Sequence, residues 1–277
     1  MNCNDVDQAL IESPAASRLP PQAEEHLRGC NRCQDLVRAI STPVPAEPPS
    51  PTTLRQIEQS MIADLRAVRP LAPNRYVFSA FAAVFVSIVA VGVYRMGAFA
   101  IAVMSPLQAG AILSALVIGG AFLAYSLVQQ MVPGSRNRIP PKLLPVGVII
   151  SLTVAIAVLF QFQHERNFWA NGWACLRAGA PIGILAAVPF WLLLRRGAVL
   201  SPGVTGAATG LLAGLVGTTV LEIHCPNLDA WHILVSHLGV SVLLAVAGLA
   251  AGLAAEVAIA RSFGRRRFSS NPEEPPR

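Results

Sequence analysis

An all-α fold, in which a six-helix transmembrane bundle carries a small helical cytosolic domain at its N-terminus, is what this sequence predicts, and three observations predict it. Hydrophobic residues make up 53% of the chain and charged residues only 13%, with a mean hydropathy of +0.53. A soluble domain of this size with so few charges would aggregate, so lipid is the solvent for most of the chain. Six apolar stretches are each about long enough to cross roughly 30 Å of hydrocarbon as a helix. Charge is segregated as well: most of the acids fall in residues 1–75, and the remainder is nearly uncharged between short basic clusters.

The chain opens MNCNDVDQAL, with acids where a secretory signal would have a basic region, and no apolar run precedes Tyr76. This predicts a head, residues 1–40, that stays in the cytosol. Within it a short segment around Asp5 to Ser13 leads through a turn with Pro14, Pro20 and Pro21 into a helix expected from Gln22 to Ile40. That helix carries His26, Cys30 and Cys33 in HLRGCNRC. Positions i, i+4 and i+7 fall within roughly 60° of arc at 3.6 residues per turn, so the three side chains can face one ion. Two thiolates and an imidazole suit tetrahedral Zn²⁺, and a closed structural site needs a fourth ligand, for which Cys3 is the candidate. A redox pair at the CxxC is the plainer alternative. In a head with little core of its own, zinc would supply much of the folding energy.

Residues 41–53, STPVPAEPPSPTT, are proline-rich and read as a semi-rigid spacer. After them Leu54, Ile57, Met61, Leu65 and Val68 recur at helical spacing, which predicts an amphipathic juxtamembrane helix within residues 54–75. Its stripe needs a surface: either a protein partner or the lipid interface, which Arg55, Arg66 and Arg69 would suit.

The cysteine and histidine pattern of the head resembles the zinc-binding anti-sigma domain of bacteria, whose signature is HxxxCxxC with an upstream ligand. The resemblance covers residues 1 to about 70. It implies that Cys3, His26, Cys30 and Cys33 hold structural Zn²⁺. It also implies an extracytoplasmic-function sigma factor as partner, held in part by Leu54, Ile57, Met61 and Leu65, with no direct contact to nucleic acid.

The membrane domain, residues 76–260, is read as spans at Tyr76 to Tyr94, Leu107 to Val128, Leu143 to Phe162, Cys175 to Leu194, Gly203 to Ile223 and Ile233 to Ala260. With the N-terminus inside, Arg66, Arg69, Arg75, Arg136, Arg138, Lys142, Arg195, Arg196, Arg261, Arg265, Arg266 and Arg267 all flank the cytosolic side, against Arg95, Arg166 and Arg177 outside. That asymmetry predicts six spans with both termini cytosolic, and puts Trp169, Trp173 and Trp231 at the outer interface. Residues 261–277 then form a basic, disordered cytosolic tail. Gly206, Gly210 and Gly214 line one face of span five and permit close helix packing, including pairing between copies.

No acid or base stands in the middle of a span: Glu222, Glu256 and Arg177 lie near the ends. This weighs against ion-coupled transport. The absence of paired catalytic residues near one face weighs against an enzyme. A small-solute transporter or channel with a regulatory zinc domain is the alternative from another class. Outside, Cys175 and Cys225 lie at similar depth in an oxidising compartment, with His164, His224, Glu222 and His232 in the same loops. That placement leaves open a structural disulfide, two interfacial cysteines that never meet, and a thiol and imidazole group that takes a soft metal or is oxidised.

CLRAGAP, the basic pair in LLLRRGA, the glycine-rich fifth span and the HCP turn resemble the six-span negative regulators of sigma F, over about residues 76–260. This implies a bacterial inner-membrane anti-sigma factor in which Cys175, Cys225 and the neighbouring His224 sense metal or oxidant stress from outside. Those regulators generally have a short head without a zinc motif, and the head is where this chain departs from them.

Overall fold

A computed structural model describes residues 2–12, 19–41, 50–64, 72–132, 134–135, 139–163 and 168–269. Leu65, Arg66, Val68, Arg69, Arg136, Arg138, His164 and Arg166, named above, lie outside the described residues. The chain divides into two compact units, Met1–Arg69 and Pro70–Arg277. No strand occurs among the described residues; the one ladder-like feature is an isolated bridge between Gln161 and Asp229.

In the first unit α1 (Cys3–Glu12) begins at a reciprocal cap, where Asp5 N–H donates to Asn2 Oδ1 (3.1 Å) and Asn2 N–H to Asp5 Oδ2 (2.8 Å). Helix α2 (Pro21–Gly29) starts on Pro21, whose fixed φ and missing N–H suit a first turn. The single helix expected from Gln22 to Ile40 is two helices. Cys30 is extended (φ −121°, ψ 104°), and α3 (Asn31–Ser41) starts after it. Gly29 is a poor helix former, and the Gln34 side chain stabilises the break by donating Nε2–H to Leu27 O at 2.7 Å, a carbonyl that the end of α2 would leave unpaired. Val6, Leu10, Leu19, Ala23 and Cys33 form the small core between the three helices.

Helix α4 (Pro51–Asp64) starts earlier than the apolar stripe suggests, because Ser50 caps it through Thr53 N–H (3.1 Å) and Pro51 fits the first position. Leu54, Ile57, Met61 and Ile62 are all about half or more exposed.

The second unit is a bundle of α5 (Asn74–Met96), α7 (Pro106–Gln130), α8 (Leu144–Leu159), α9 (Phe168–Leu194), α10 (Pro202–His224) and α12 (Leu238–Ser269). Short helices α6 (Phe99–Val103) and α11 (Ala230–His232) lie between them, and a π-helical turn, Ile233–His237, joins α11 to α12. Five helices, counting Ala230–Ile259 as one, are long and apolar enough to cross a membrane. The expected third span falls short of that: α8 has 16 residues, about 24 Å at 1.5 Å per residue against roughly 30 Å of hydrocarbon. It stops because Phe160 turns extended and the next residue pairs with another loop, Gln161 O accepting from Ala230 N–H at 2.9 Å. Helix α9 starts seven residues ahead of Cys175, which therefore sits two turns inside it. Helix α12 runs to Ser269, so residues 261–269 are helical where a disordered tail is expected; no proline falls between Pro226 and Pro272 to stop it.

The six helices alternate in direction. At one end Gln108 Nε2–H of α7 donates to Leu159 O of α8 (2.8 Å), and Cys175 of α9 meets Cys225 at the end of α10. At the other end Thr205 of α10 donates to Gln130 Oε1 of α7 (2.8 Å), and Gly203 N–H donates to Glu256 Oε1 of α12 (2.9 Å). Helix α10 is the axis: most of its residues are buried, and α12 lies along it with backbones in contact where Gly206, Gly210 and Gly214 face Gly248, Leu244 and Ser241. Trp169, Trp173 and Trp231 are exposed at the end that carries Cys175, and Trp191, with Arg195 over its ring at 5.1 Å, at the other.

Candidate metal-binding sites

The break at Cys30 shapes the head group. Cys3 opens α1, His26 lies on α2, Cys30 is the joint and Cys33 faces inward from the first turn of α3. Their ligand atoms all lie within 4.8 Å of one another. Cys3 Sγ is 3.6 Å from His26 Nε2 and 3.7 Å from Cys30 Sγ. A tetrahedral ion with metal–sulfur bonds of about 2.3 Å and metal–nitrogen bonds of about 2.0–2.1 Å sets edges of about 3.8 Å and 3.5 Å. The four residues fit such an ion, and they tie all three head helices to one point. The thiols differ in acidity. The Cys33 backbone N–H, followed by smaller bonds from Cys3, Cys33 and His26, holds Cys30 down to about 7, whereas burial pushes Cys33 up to about 12. Cys30 is thus the first of the pair to present a thiolate.

A second group stands at one end of the bundle. Cys175, Cys225, His232 and His237 place their ligand atoms within 4.8 Å of one another. Cys175 Sγ is 3.6 Å from Cys225 Sγ, and Cys225 Sγ is 3.5 Å from His232 Nε2. None of the five cysteines is joined in a disulfide. Asp229 fixes the loop that delivers His232: its Oδ2 accepts from His232 N–H (3.0 Å) and its Oδ1 from Gln163 N–H (2.7 Å). His237 and Glu222 are each only 1% exposed and pair through His237 Nδ1 and Glu222 Oε1 at 3.0 Å.

Two sequence expectations need adjustment here. His224, the last residue of α10, is not in the group: its Nδ1 approaches Gly97 O at 3.4 Å and its ring lies against Phe99 at 5.6 Å. His237 is in the group and was not foreseen. Five residues beyond His232, it would stand about 140° away from it on an α-helix. The π turn, closing i to i+5, brings both imidazoles to one side with ring centroids 5.2 Å apart.

Residues 61–255 match the family model described as Negative regulator of sigma F. Neither the curated proteins nor the solved structures contain a match to the chain.

Proposed function

Because this chain belongs to the family of negative regulators of sigma F, we propose that it is a membrane-anchored anti-sigma factor. In this reading the head sequesters an extracytoplasmic-function sigma factor, and the bundle receives a metal or oxidant signal at Cys175 and Cys225. The family match carries it. The head fits beside it: four donors suited to Zn²⁺ pin α1, α2 and α3, and α4 leaves Leu54, Ile57 and Met61 uncovered for a partner. Such an exposed apolar row at helical spacing is how an amphipathic helix enters a groove. The sequence places Leu65 on the same row.

The location proposed is the bacterial inner membrane, with six crossings and both termini in the cytosol. The alternating helix directions and the basic residues at the Trp191 end support it, with α8 as the short crossing. Turning a 99:1 ratio of bound to free sigma factor into 1:99 requires the signal to weaken the complex by about 5.5 kcal/mol.

The test is capture from the source cells' lysate on the tagged full-length protein, with and without a zinc chelator. A sigma factor recovered on the wild type and lost on chelation is the expected result. Leu54→Glu/Ile57→Glu/Met61→Glu should reduce its recovery at least about tenfold, given that one buried apolar side chain contributes about 1.5–3 kcal/mol. Undiminished recovery by this variant would remove α4 from the contact, and no sigma factor on the wild type would sink the whole reading.

A further inference from the structure

The histidines and the carboxylate at the Cys175 end have no part in a disulfide. His237 and Glu222 are buried nearly completely, and His237 Nε2 and Glu222 Oε2 have no hydrogen-bond partner. Burying an ionisable pair that is only half satisfied is unfavourable unless something else uses a remaining atom. An ionised Glu222 can only accept, and a neutral His237 that donates Nδ1–H to it leaves Nε2 as the ligand atom. One ring nitrogen of His237 lies within 4.8 Å of both sulfurs and of a ring nitrogen of His232, and with Nδ1 paired to Glu222 the nitrogen left to serve as a ligand is Nε2. A carboxylate that fixes a histidine's tautomer from behind is the usual outer support of a metal-bound imidazole.

We propose that Cys175, Cys225, His232 and His237 form a closed tetrahedral site for a soft or borderline divalent cation of the Zn²⁺ or Cd²⁺ class, with Glu222 as its positioning residue. The distances of 3.6 Å between sulfurs and 3.5 Å from Cys225 Sγ to His232 Nε2 fall close to the tetrahedral edges of about 3.8 Å and 3.5 Å. Two thiols lose their protons to solvent as the cation binds, so two thiolates balance its two charges while both imidazoles stay neutral. Four protein donors leave no open position, which makes the site one that binds rather than one that catalyses. The cation would join α9, the end of α10, α11 and the π turn at a single point. Its use as a signal rests on the anti-sigma reading; its binding does not.

The experiment is metal stoichiometry on the full-length protein in detergent, loaded with Zn²⁺ or Co²⁺, desalted and measured by mass spectrometry of the ions. Wild type should hold one ion more than Cys175→Ser/Cys225→Ser, and one more than His237→Ala, while His224→Ala should match wild type. Glu222→Gln keeps the shape of the pair and should weaken the Co²⁺ affinity of this site about 10–100-fold. Its titration decides the matter even if His237→Ala fails to fold. Equal ion counts for wild type and the double-cysteine variant would overturn the proposal, as would an unchanged affinity in Glu222→Gln. Because the count is made without a sigma factor, it stands or falls apart from the capture experiment.

Discussion

Cys30→Ser/Cys33→Ser is expected to unfold the head and free the sigma factor, so that transcription from its promoters becomes constitutive. Among the described residues of the head the buried hydrophobic core is Val6, Leu10, Leu19, Ala23 and Cys33, and so small a core cannot by itself offset the ordering of three helices. Structural Zn²⁺ contributes about 10–16 kcal/mol in small domains of this kind, as much as the whole stability of most domains, about 5–15 kcal/mol. Losing two of four ligands removes most of that. A promoter fusion in cells, read beside capture of the sigma factor on the purified variant, checks it: both repression and capture should fall at least about a hundredfold. Repression that survives the double substitution would mean that the head folds on its apolar contacts alone.

The other large effect is expected from the seam between α10 and α12. A Cβ at Gly210 would fall onto the Leu244 carbonyl oxygen, and one at Gly206 onto the Gly248 carbonyl oxygen. Overpacking typically costs about 1–3 kcal/mol when a side chain can yield. Here the obstacle is backbone, and the helices themselves must separate. Gly210→Val should therefore lower the thermal midpoint of the detergent-solubilised protein by more than about 5 °C, the shift that roughly 2 kcal/mol gives in a chain of this size. It should also pull His237 away from Cys225 and abolish ion uptake at that end. Gly147→Ala, where a Cβ meets nothing within 4 Å, should change neither.

The sequence was most readable where one physical rule dominates. Long apolar runs located the helices, since hydrocarbon leaves the backbone no other economical choice, and HxxxCxxC drew attention to the head because cysteine and histidine at that spacing have few other uses. Less readable was anything set by a local departure from regular helix. Gly29 and Gln34 carry the break at Cys30, but a glycine inside a helical pattern is an ambiguous sign. The length of α8 depended on Gln161 pairing with the Asp229 loop, a contact 68 residues distant in sequence. His237 was missed because helical periodicity assigns it to another face than His232; only the π turn unites them. His164 and Leu65 lie outside the described residues.

The burial of α10 bears on how the protein is made. Its five glycines, four threonines and Glu222 leave it less suited to stand alone in lipid than α5, whose apolar side chains largely face outward. A newly synthesised α10 would meet hydrocarbon with surfaces shaped for other helices. The segment that covers its glycine face, α12, is the next long helix in the chain, separated from it by residues 225–237. The two are thus suited to leave the translocon as one hairpin, with Thr218 already donating to the His237 carbonyl at 2.7 Å. A ribosome stalled before α12 emerges should hold α10 at the channel, whereas α5 should already have passed into the bilayer.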